Sequence, residues 1–87
     1  MSAEYKQVKQ IAKESLMADF FAVRIEEEGL WAKLQELLTR IQMQSPHIAS
    51  VKTMAKEAAN AVEFIEKVKQ DNKWDWLRNM LVRLNLG

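Results

Sequence analysis

Apolar residues recur along this chain at the spacing of an α-helix. Tyr5, Val8, Ala12, Leu16, Phe20 and Val23 form one stripe, and Leu30, Leu34, Leu37 and Ile41 continue it in phase. Val51, Ala55, Ala58, Val62 and Ile65 form another, and Trp74, Leu77, Leu81 and Leu84 a last one. No comparable stretch alternates apolar with polar positions as a half-buried strand does. Before the terminal Gly87 only Gly29 and Pro46 oppose helix formation, by about 1 and 3 kcal/mol respectively in a helix interior. The pattern predicts an all-α fold, a small antiparallel helical bundle of three long or four shorter helices, in a single domain over residues 1–87. No internal repeat or low-complexity tract stands out.

Boundary signals sharpen this picture unevenly. Ser2 is a candidate cap for a first helix over 3–28. Gly29 is the residue type favoured just past a helix C-terminus. Yet Glu26, Glu27 and Glu28 would then face the negative end of the helix dipole, so an unbroken helix through Gly29 to Ile41 is the alternative. Ser45-Pro46 is clearer: a capping hydroxyl precedes a proline at the first helical position. The helix it starts, over 46–70, carries Ala55, Ala58, Ala59 and Ala61, small enough for a neighbouring helix to approach closely. Asn72 with Asp75 resembles a capping box and predicts a final helix over 73–85.

Two surfaces carry more apolar residues than one buried face requires. Met17, Phe21 and Ile25 recur every four residues on the side of the first helix opposite the Tyr5–Leu16 stripe. A helix apolar on both sides is buried on both, which a two-fold homodimer or partner provides; a central place in the bundle is the alternative, and a ligand groove the third. On the last helix Trp76, Met80 and Arg83 lie beside the Trp74–Leu84 face, and Trp, Met and Arg are enriched at protein interfaces. Met17, Phe21, Ile25, Trp76, Met80 and Arg83 are therefore the expected interface residues.

Charge and chemistry narrow the function further. The net charge is +1, with residues 1–13 at +2, residues 67–87 at +3 and an acidic middle. Two basic ends could touch phosphate, which makes a nucleic-acid-associated regulator the second reading; a nearly neutral chain is a poor electrostatic binder, so it ranks behind protein binding. There is no cysteine and one histidine, His47, so neither a thiolate metal site nor a paired-imidazole site is available. No glycine-rich phosphate loop, calcium loop or Glu-x-x-His pair is present. Ser15, Ser45 and Ser50 lack any motif that would make one a nucleophile. No cofactor, metal or catalytic residue is expected. The N-terminus lacks the apolar core of a signal peptide, and no run is long enough to cross a bilayer. These features predict a non-enzymatic cytoplasmic protein-interaction module: a self-associating adaptor, inhibitor or assembly factor.

Overall fold

The computed structural model describes residues 3–86. Six helices follow one another: α1 (Ala3–Glu14), α2 (Ala18–Glu27), α3 (Trp31–Arg40), α4 (Pro46–Glu57), α5 (Ala61–Gln70) and α6 (Trp74–Arg83). The all-α expectation holds, with no strand among the described residues. The helix count does not: two of the expected long helices are each divided. All six contribute to one apolar cluster, with Phe21, Phe64, Leu34 and Leu77 among its fully buried side chains. Ser2, the expected cap of the first helix, lies outside the described residues.

Two of the divisions are of one kind. Gly29 sits at φ +65°, and the chain leaves α2 with Gly29 N donating to Glu26 O and Leu30 N to Ile25 O. This is the paired-bond C-terminal motif that a left-handed residue permits. Asn72, at φ 55°, ends α5 identically, with Asn72 N donating to Lys69 O and Lys73 N to Val68 O. The break at Gly29 is therefore real. Asn72, however, terminates α5 rather than capping α6, which begins after Lys73 without a side-chain cap. Asparagine does this because it tolerates the left-handed region better than other side chains with a Cβ.

The other two divisions fall at residues 15–17 and 58–60. Neither contains glycine or proline. At the first, the carbonyls released from α1 are taken up by α6: Arg78 Nε donates to Ser15 O at 2.8 Å, Arg78 Nη2 to Lys13 O at 3.1 Å and Trp74 Nε1 to Leu16 O at 2.9 Å. At the second, Gln35 Nε2 donates to Ala55 O, and Asn60 Oδ1 caps α5 by accepting from Glu63 N at 2.8 Å. Each restart rotates the next helix. Beyond residue 17 the Leu16–Phe20–Val23 stripe faces solvent, and Phe21, Ala22 and Ile25 face the core.

The breaks also reveal a repeat. Every boundary of α4, α5 and α6 lies 43 positions beyond the matching boundary of α1, α2 and α3. In that register twelve residues coincide, among them Val8 with Val51, Ala12-Lys13-Glu14 with Ala55-Lys56-Glu57, Phe21 with Phe64, Trp31 with Trp74 and Arg40 with Arg83. The packing follows the same exchange. α2 pairs with its own counterpart α5, while α1 packs on α6 and α4 on α3. Trp74 tilts against Phe21 with ring centres 5.3 Å apart, and Trp31 against Phe64 at 5.4 Å. The molecule is two three-helix units related by an approximate two-fold through the α2–α5 pair, which corrects the expectation of no internal repeat.

Candidate functional site

The six expected interface residues separate into three environments. Phe21 and Ile25 are fully buried and Met80 nearly so; they are core side chains and leave no double-faced first helix to explain. Met17 stays 70% exposed at the start of α2. Trp76 is half-buried with its ring 5.4 Å from that of His47, and Arg83 is exposed. Trp76, Met80 and Arg83 do line a common groove with Met43, about 350 Å³ in volume.

The larger apolar exposure is on α2 and the turn before it. Leu16 is 77% exposed, Phe20 51% and Val23 49%, with Val62 of α5 also open. Phe20 and Val23, three apart, share one face of α2, and Leu16 and Met17 stand in the turn at its N-terminal end; these four side chains form the ridge. The core-facing pattern read from the sequence had placed Leu16, Phe20 and Val23 inside, because nothing local announces the break at Ser15.

The two-fold supplies an internal comparison. The positions matching Leu16, Met17, Phe20 and Val23 in the second unit are Ala59, Asn60, Glu63 and Glu66. The same backbone is thus built on α5 with no apolar ridge, so the fold does not require one. The substitution even forgoes stability. Met17 precedes α2 without any side-chain cap, whereas Asn60 caps α5, and loss of such a cap costs about 1 kcal/mol.

Charge surrounds the ridge asymmetrically. Residues 16–28 contain Asp19, Glu26, Glu27 and Glu28 against the single cation Arg24, and Arg24 is bridged back to Glu14 at 3.2 Å. On the α5 side Lys69 sits between Asp19 at 2.7 Å and Glu66 at 3.4 Å. The bond to Asp19 is the main reason the Lys69 ammonium is held above its ordinary pKa. Glu26 is committed to the fold, its carboxylate accepting from Ala61 N at 2.6 Å. Glu27 and Glu28 are exposed at the C-terminal end of α2, where the dipole disfavours negative charge. Beside Leu16 and Met17, Asp19, Lys69 and Trp74 help to line an open groove of about 410 Å³.

Among the described residues no group of three His, Cys, Asp or Glu side chains converges to hold a metal ion. Among these residues, too, no helix is long and apolar enough to cross a membrane. The arrangement offers a contact surface: apolar side chains standing out from a helix, rimmed by carboxylates. No known protein-family model matches this chain, and no curated protein or solved structure matches it either.

Proposed function

We propose that this protein is a non-enzymatic protein-binding module, an adaptor, inhibitor or assembly factor, that docks a partner protein on the Leu16–Met17–Phe20–Val23 ridge. The observation that carries this reading is the difference between the two units: one backbone position after another is apolar and exposed on α2 but polar or small on α5. Natural sequences depart from local preference chiefly where function demands it, and contiguous apolar exposure marks interaction surfaces.

A photo-crosslinking amino acid placed at position 20, and separately at the matching position 63, tests this. In extracts of the native host, position 20 should yield a discrete protein adduct that excess wild-type protein displaces and Phe20→Glu protein does not. Position 63 should yield only background. Indistinguishable adducts at the two positions would remove the ridge as a docking surface.

A further inference from the structure

The rim of the ridge specifies what can cover it. Phe20 and Val23 on one helix, with Leu16 and Met17 in the turn before it, offer a narrow strip, not the 20–30 residues per side of a standard globular interface. A strip of that shape fits one amphipathic helix, whose anchors fall at i, i+3, i+4 and i+7. The flanking charge is negative. Glu27 follows Val23 by four residues and so continues the line of the ridge, with Glu28 beside it, while Glu63 and Glu66 stand on the neighbouring α5. Of the cations on these two helices, Arg24 is bridged to Glu14 and Lys69 to Asp19 and Glu66; Lys67 lies one turn beyond Glu63, so the net negative charge is that of the α2 end.

The carboxylates are not explained by the stability of α2. Two of them crowd its C-terminus, where lysine would suit the dipole; in the second unit Asp71 keeps the charge of Glu28, but Gln70 stands without charge where α2 has Glu27. Met17, the exposed ridge and Glu27-Glu28 are three locally unfavourable choices on one helix, and they make one combined surface, apolar at the centre and anionic at its end.

Resting on the docking function above, we infer that the occupant is a cationic amphipathic helix of a partner protein. Its apolar face seats on Leu16, Met17, Phe20 and Val23, and its lysines or arginines lie over Glu27 and Glu28. An anionic membrane surface or nucleic acid would meet like charge here.

The test titrates the isotope-labelled full-length protein with three synthetic peptides of about 18 residues, long enough for an amphipathic helix. One has leucines at helical spacing with lysine elsewhere, one has the same leucines with glutamate, and one is a scramble of the first. The lysine peptide should bind at least tenfold tighter than the others and shift amide resonances of α2 and the adjoining edge of α5. Phe20→Glu should weaken it at least tenfold, and Glu27→Lys with Glu28→Lys should do the same. Both variants keep the fold, since Glu63 already occupies the position matching Phe20 and lysines at a helix C-terminus complement the dipole. Equal binding of the scramble would show attraction of charge alone and overturn the inference. So would equal binding of the glutamate peptide, or a dimer in sedimentation that Phe20→Glu dissolves, which would make a second copy the occupant. If position 20 still gives its specific adduct while no lysine peptide binds, this inference falls and the docking function stands.

Discussion

Ser15 is fully buried, and its hydroxyl has no hydrogen-bond partner. Its position in the second unit is taken by Ala58, which turns the same corner with nothing polar to satisfy. A buried polar group left unpaired costs about 1–3 kcal/mol, and the two side chains differ by one oxygen. Ser15→Ala should therefore raise the denaturation midpoint by the equivalent of about 1 kcal/mol, read by chemical denaturation under circular dichroism. A lowered midpoint would mean that the hydroxyl is satisfied in solution. The same pairing of positions shows substitution working in other currencies. Glu4 and Lys33 meet as an ion pair at 3.8 Å, while their counterparts His47 and Trp76 meet as tilted rings in contact.

At the scale of the helix, α2 and α5 share length and position but differ at their caps. The Asn60 side chain accepts a hydrogen bond from the third helical N–H, and the Met17 side chain accepts none. Met17→Asn should stabilise the protein by about 1 kcal/mol, measured as a shift in melting temperature, and should weaken whatever the ridge binds. An unchanged melting temperature would show that the N-terminus of α2 is satisfied by other groups. The helices were legible in the sequence only where their ends are marked locally. Ser45-Pro46 and Gly29 mark theirs, and the Ser45 hydroxyl does accept from His47 N. The restart at Asn60 carries its own signal, Asn60 with Glu63 three residues on, but the surrounding alanines read as one continuous helix. The break at Ser15 has no such mark. It is held by Arg78 and Trp74, more than fifty residues away in the chain, so the apolar stripe is read about two turns too far, through Val23. That single misreading exchanges Phe20 for Phe21 and Val23 for Ile25. The candidate site was thus legible at Met17 and concealed at Leu16, Phe20 and Val23.

At the scale of the whole molecule, the two-fold makes residues 41–45, which join α3 to α4, the counterpart of the space between the end of α6 and the start of α1. The structure agrees: Lys9 Nζ donates to Leu84 O, and Tyr5 lines a groove with Leu84 and Leu86. A circular permutant that opens between Met43 and Gln44 and joins Gly87 to Met1 through a short flexible linker should fold to a monomer of the same helicity. A melting temperature within about 10 °C of the parent is expected, equivalent to about 1–3 kcal/mol for a domain of this size. Failure to fold would show that the 41–45 connection does more than connect.

The exchange of partners between units bears on how the protein is made. The Trp31 ring waits for Phe64, the Phe21 ring for Trp74, and α1 for α6. Synthesis proceeds at about 5–20 residues per second, so the second unit follows the first by about 2–9 s. Throughout that interval the emerging half displays apolar seats whose occupants do not yet exist. The matching half of a neighbouring nascent chain fits the same seats, so exchange of helical units between chains is the misassembly expected of this architecture. The direct linker between the units counters it by delivering the correct occupant at an effective concentration no second chain can match.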